Sequence, residues 1–203
     1  MHKQLTVPIP DDAITALHIG DAVTLSGVIV TGRDAAHKFL VEHFIQNPPS
    51  GDERELYDEL KHLLSGGAIY HCGPVVRQID SRWEFVAAGP TTSIREEIYE
   101  PDVIAHFGLK AIIGKGGMGP NTLKACQAHK AVYLHAIGGA ATLIAQSVKE
   151  VLAVHKLEFG VPEAMWVIRV EDFPCVVTMD SHGDSIHADV LEVSEQRLKT
   201  LLG

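Results

Sequence analysis

Three short polar loops, each following an apolar run, carry the residues of this chain best suited to chemistry. They are Gly32-Arg33-Asp34 with His37, Gly89-Pro90-Thr91-Thr92-Ser93 with Arg95, and Gly114-Lys115-Gly116-Gly117-Met118-Gly119. An arginine fork offers a carboxylate two parallel hydrogen bonds, so Arg33 and Arg95 suit a ligand with two acid groups. Lys115 adds a point charge among glycines, whose missing side chains let backbone N–H groups approach an anion. Thr91 and Thr92 supply compact hydroxyls, and a helix starting near Ser93 would aim free N–H groups the same way. Each residue also has an ordinary structural use. Arg33 beside Asp34 can form an ion pair, Thr-Thr-Ser can cap a helix, and a glycine run can simply turn the chain. Their joint occurrence at strand ends points to a cleft for a small dianion.

Other chemistries fit less well. The loop GKGGMG lacks the spacing of a phosphate-binding P-loop and has glycine after Lys115, where a metal-coordinating hydroxyl would be needed. Gly114, Gly116 and Gly119 satisfy G-x-G-x-x-G, yet no acidic residue follows at a second strand end as a dinucleotide site requires. Asp180, His182, Asp184 and His187 crowd one turn and could take a divalent ion, although turn chemistry accounts for them equally well. The three cysteines, Cys72, Cys126 and Cys175, are far apart and form no C-x-x-C pair, which suits a reducing, cytoplasmic compartment. Cys126 and Cys175 sit in apolar stretches, and only Cys72, beside Gly73-Pro74, is near a polar loop. No metal or cluster ligand is expected in this chain. A formal charge of -9 disfavours nucleic acid and anionic membranes without excluding an acidic substrate in a locally basic cleft. No apolar run is long enough for a membrane span or a signal peptide.

The elements that must position these loops are legible in outline. With 203 residues and 46% apolar composition, a single domain over 1–203 is expected. Residues 21–31 are rich in β-branched side chains and predict a strand, followed by helical character from 32 to 45. A loop over 46–52, an amphipathic helix over 53–64, strands over 68–76 and 83–88 and a helix around 101–107 follow. Residues 109–113 and 131–135 each lead into a glycine turn and then a helix, the second predicted over 141–154. Successive strand-glycine-helix units predict α/β architecture with parallel strands. Beyond 164, three consecutive strands are predicted: 164–170, 175–180 and 185–190. Gly138-Gly139 predicts close packing of helix on strand, and Pro162–Trp166 either core or an apolar subunit surface.

GRDAAHK (32–38), GPTTSIR (89–95), IGKGGMGP (113–120), the small residues at 138–140 and PEAMW (162–166) resemble, in order and spacing, the β subunit of class I iron–sulfur fumarases and L-tartrate dehydratases. The resemblance implies a swivelling β/β/α domain, α/β in class, with a central sheet and flanking helices. It also implies an α-subunit partner whose three cysteines hold a [4Fe–4S] cluster, within a higher-order heteromer. The implied reaction is reversible dehydration of a 2-hydroxy dicarboxylate, with (S)-malate to fumarate favoured. Conversion of tartrate to oxaloacetate, hydration of a methylated diacid such as mesaconate, and a non-catalytic dicarboxylate-binding module stay open. Residue by residue, Arg33, Arg95 and Lys115 match the family's carboxylate-binding side chains. Thr91 matches the threonine proposed to assist proton transfer, and Thr92 is the adjacent hydroxyl. Asp34, His37, Gly116 and Gly117 are supporting residues. Glu96 departs from the family's usual methionine, so its carboxyl must pair with a cation or lie outside the pocket.

Overall fold

The computed structural model describes residues 2–51 and 53–202. Asp52, the last residue of the loop expected over 46–52, lies outside the described residues, as do Met1 and Gly203. In chain order the elements are β1 (His2–Thr6), α1 (Asp11–Thr15), β2 (Ala22–Thr31), α2 (Asp34–Phe39), α3 (Glu53–Leu64), β3 (Ala68–Tyr70), β4 (Val75–Ile79), β5 (Arg82–Ala87), α4 (Glu100–Phe107), β6 (Ala111–Gly114), α5 (Pro120–His129), β7 (Val132–His135), α6 (Ala141–Ala145), β8 (Val148–His155), β9 (Met165–Met179) and α7 (Ile186–Leu202).

Strands β2, β3, β6 and β7 pair side by side in parallel, and β9 runs antiparallel to both β7 and β2. The mixed sheet thereby curls until β9 joins its two flanks, a barrel-like α/β arrangement with helices outside. The short strands are apolar throughout because both their faces are covered. Tyr70, Ile113 and Leu134 join Leu25, Trp166 and Phe173 in one cluster. Their neighbours Ile69, Ile112 and Tyr133 pack instead with Phe39, Leu60, Val103 and Phe107 from the helices. A hairpin of β4 and β5 turns at Asp80-Ser81, both at positive φ, the geometry that matches strand twist. Its Trp83 and Phe85 meet Trp166 edge to face.

Three expectations are corrected. Residues 148–155 form strand β8, so the helix predicted over 141–154 is only the short α6. This segment pairs antiparallel with β9 from Val148↔Val170 to His155↔Met165, and tertiary pairing overrides its local helical character. The breaks at Asp172 and Pro174 do not divide β9. Asp172 takes φ 50 and donates its N–H to Ser26 Oγ at 3.0 Å, while β2 shifts register between Leu25 and Gly27. Gly27 is needed at that corner, since a Cβ there would lie 3.0 Å from Val7. Residues 185–190 are not a strand but open α7, an outlying helix with no buried residue. Among the described residues no helix is long and apolar enough to cross a membrane.

Candidate functional site

Because β2, β3, β6 and β7 are parallel, the loops at their carboxyl ends collect along one edge. Backbone hydrogen bonds then tie the threonine and lysine loops to each other and to the end of β3. Thr91 N–H donates to the His71 carbonyl at 2.7 Å, Lys115 N–H to the Thr91 carbonyl at 3.1 Å, and Ser93 N–H to the Lys115 carbonyl at 3.0 Å. The Thr91 hydroxyl donates to the same His71 carbonyl at 3.1 Å, which fixes its rotamer. Thr92 pairs alongside Lys115 in a short parallel bridge and is exposed.

Each cationic side chain has a distinct setting. Arg33 pairs not with its neighbour Asp34 but with Glu163 of the PEAMW segment, at 3.2 Å. Its guanidinium lies over Gly73, where a Cβ would come within 2.6 Å. Asp34 instead pairs with Arg95, across from the TTS loop. Lys115 is half-buried and extends past Gly138. Among the described residues it has no acidic partner. Gly116 and Gly117 take φ 81 and 78, and a side chain at Gly117 would collide with the His187 ring.

Several expectations about anion contacts change. The segment after Thr92 is a single 3-10 turn, Ser93–Glu96, rather than a helix with free N–H groups. The amino end of α5 is already filled: the Glu97 carboxylate accepts from Gly119 N–H at 2.7 Å, Asn121 N–H at 2.9 Å and the Thr122 hydroxyl at 2.6 Å. Gly138-Gly139 does not pack a helix on a strand, since Gly139 faces open space and Gly138 borders Lys115. Met165 and Trp166 are core residues, not a surface. The turn at 180–184 is closed by Asp180, whose carboxylate accepts the N–H groups of His182, Asp184 and Ile19, the ordinary chemistry of a turn. Glu96 is buried and faces inward, where burial raises its carboxyl above the ordinary range against the pull of His37.

Behind the loops lies a buried polar network that sequence reasoning largely missed. Glu100 Oε2 stands 3.0 Å from His71 Nε2 and 2.9 Å from His37 Nε2, all three residues fully buried. Their ligand atoms lie within 4.8 Å of one another, a group capable of taking a metal ion. His71 Nδ1 meets Ser93 Oγ at 2.8 Å, and the Tyr133 hydroxyl donates to that oxygen at 2.8 Å. Burial works against the Glu100 charge, yet His37 and His71 hold its carboxyl down at about 2. Burial likewise opposes the His37 charge, but Glu100 carries its imidazole above the ordinary value. Burial prevails at His71 and lowers it. Glu100 sits in an acidic stretch, EEIYEPD, that reads like any solvated helix start, and His71 looks isolated beside Cys72. Only the approach of β3 to α4 reveals them as partners.

Comparison with known proteins shows the family. Residues 2–190 match the family described as fumarase C-terminus. A Geobacillus stearothermophilus protein, named provisionally as a class I fumarate hydratase, is 49% identical over 195 residues, covering 96% of this chain but only 35% of that protein. The L(+)-tartrate dehydratase subunit beta of Escherichia coli K12 is 39% identical over 198 residues, covering 97% of this chain and 92% of that subunit. A Methanocaldococcus jannaschii protein named provisionally as the same subunit is 40% identical, with 94% and 93% covered. The chain belongs to the fumarase C-terminus family, a group of hydro-lyase sequences that includes class I fumarate hydratase and L(+)-tartrate dehydratase beta-subunit members.

Proposed function

We propose that this chain is the β component of a class I hydro-lyase that reversibly dehydrates a 2-hydroxy dicarboxylate, (S)-malate to fumarate and water, in a cytoplasmic heteromer with an α subunit. Lys115 carries this assignment. A half-buried ammonium with no acidic partner among the described residues, on a loop bonded to that of an oriented threonine hydroxyl, suits a ligand that brings its own negative charge. Identity of 49% to the class I fumarate hydratase relative supports malate and fumarate. The near-complete match to tartrate dehydratase β subunits keeps tartrate as the second substrate to test.

In this role Arg33, Arg95 and Lys115 bind the two carboxylates, with Thr92 beside them and Asp34 holding Arg95. When a proton leaves the carbon next to a carboxylate, charge moves onto the carboxylate oxygens, and a preset cation stabilises it with no reorganisation. Thr91 donates a hydrogen bond to the His71 carbonyl, leaving its lone pairs free for the substrate. A hydroxyl alone is a weak base, so a charged group from the α subunit must complete the proton transfer. A [4Fe–4S] cluster would supply a Lewis-acidic iron, and this chain's cysteines do not fit one. Cys72 and Cys175 lie in one core cluster and Cys126 in the other, all free thiols, and burial pushes Cys72 up to about 12. The proposed cluster is therefore assigned to the α subunit.

The test is anaerobic co-expression with the α subunit, cluster reconstitution, and assay on malate, fumarate and both tartrate enantiomers. Hydro-lyase turnover only in the assembled pair is expected. Turnover by this chain alone would refute the shared site, and turnover of tartrate without malate would move the substrate assignment.

A further inference from the structure

A chain of hydrogen bonds with a single direction runs through the buried network. The Arg33 carbonyl can only accept, so His37 Nδ1, 3.0 Å away, carries a proton. The Glu100 carboxylate can only accept, so His71 Nε2 carries one too. Neutral His71 then accepts at Nδ1 from the Ser93 hydroxyl, and Ser93 Oγ accepts from Tyr133. Ser93 N–H, in turn, donates to the Lys115 carbonyl of the lysine loop at 3.0 Å. His37 Nε2 lies 2.9 Å from Glu100 Oε2 but off the line of a good hydrogen bond, so charge holds that contact. A bare lone pair at that separation would repel the carboxylate, which makes His37 the imidazolium. The network thus touches all three substrate loops: Arg33 through its carbonyl, Thr91 through the His71 carbonyl, and the lysine loop through Ser93.

A metal ion fits these distances less well. A tetrahedral site with bonds of about 2.1 Å spaces its ligands about 3.4 Å apart. The observed separations of 2.9 and 3.0 Å are those of direct contacts. A six-coordinate ion would tolerate them but would need further ligands in a place sealed from solvent.

We propose that Glu100, His37 and His71 are positioning residues, a buried triad that sets the Arg33 carboxylate clamp through His37 and the Thr91 hydroxyl through the His71 carbonyl. This rests on the hydro-lyase function proposed above. Misplacement of such groups by about 1 Å is enough to cost orders of magnitude in rate.

The experiment uses the assembled αβ enzyme and reads KM, kcat and the affinity for succinate, a dicarboxylate with nothing to dehydrate or hydrate. Glu100→Gln is expected to raise KM about tenfold, weaken succinate by a similar factor as Arg33 shifts, and lower kcat about tenfold as Thr91 shifts. Ser93→Ala leaves the His37–Glu100 pair in place and is expected to lower kcat about tenfold with KM within about twofold of wild type. If Glu100→Gln fails to assemble, His37→Asn carries the same KM expectation. A purely structural role would lower the active fraction while leaving KM and succinate affinity unchanged, and that result would overturn the inference. So would wild-type constants in all variants, or a zinc or manganese ion bound to wild type and lost in Glu100→Gln. Were the wild-type enzyme inactive on every diacid, the hydro-lyase function would fall, while succinate affinities would still judge the triad.

Discussion

Among the charged residues of the site, Arg95 and Lys115 differ in what they can lose. Arg95 is largely exposed and shares its charge with Asp34, so a substrate carboxylate must compete with that pair. Lys115 has no such competitor among the described residues, so in the proposed function its charge is open to the ligand. Lys115→Met in the assembled enzyme is therefore expected to reduce kcat/KM by about 100-fold or more, the loss of a charge-assisted contact of about 3 kcal/mol. Arg95→Met is expected to collapse turnover as well, and steady-state kinetics on malate would check both. Near-normal turnover in Arg95→Met would remove that residue from the site. Asp34→Asn, by contrast, frees Arg95 and should be far milder.

Elements are held in register by a few polar clamps. Glu97, on the segment that leads into α4, caps the amino end of α5 with both carboxylate oxygens. Glu97→Ala leaves those N–H groups without an acceptor and is expected to cost about 2 kcal/mol, read as a lower urea midpoint. The loss should reach the lysine loop, which ends at Gly119, and raise hydrogen exchange there. At the outer edge, Asp11 at the start of α1 receives Lys110 at 2.8 Å and Lys130 at 2.9 Å. The hydrogen bond from Lys110, then that from Lys130, hold its carboxyl down at about 2, below the ordinary 3.8. A depressed folded-state value means the clamp stabilises above pH 3.8 and is lost as pH falls from there toward 2. The stability gap between wild type and Asp11→Asn should thus be constant near neutrality and close on acidification, and a gap that widens in acid would contradict the clamp. Asp11 is exposed, so the gap is small.

At the scale of the whole molecule, ring closure by β9 seals two apolar clusters on the opposite faces of short strands. All three cysteines are consequently inside. Burial raises Cys72 to about 12 and drives Cys126 and Cys175 upward as well, so thiolate is scarce at neutral pH. Labelling by a thiol reagent is expected to follow global unfolding, rising with denaturant in step with the loss of tertiary signal. Fast modification of any one cysteine in the folded protein would show that its cluster opens locally. The outlying α7, with exposed Val190, Leu191, Leu198 and Leu201, is a long helix left outside this closure.

Residue types alone determined the loops. Arginine, threonine and glycine at strand ends suit the proposed anion site, because the chemistry of a fork, a hydroxyl and a missing side chain is local. The central strands were legible for the same reason, as short β-branched runs buried on both faces leave little choice. Residues 148–155 and 185–190 were misread because their local patterns suit either helix or strand, and pairing with β9 or its absence decides. Which acid holds which arginine was equally hidden, since Glu163 and Arg33 are 130 positions apart and meet only when β9 closes on β2. The buried triad shows the limit most clearly. Glu100 carries the same side chain as Glu97, which caps α5, and only enclosure by β3, α2 and α4 brings its charge against two histidines.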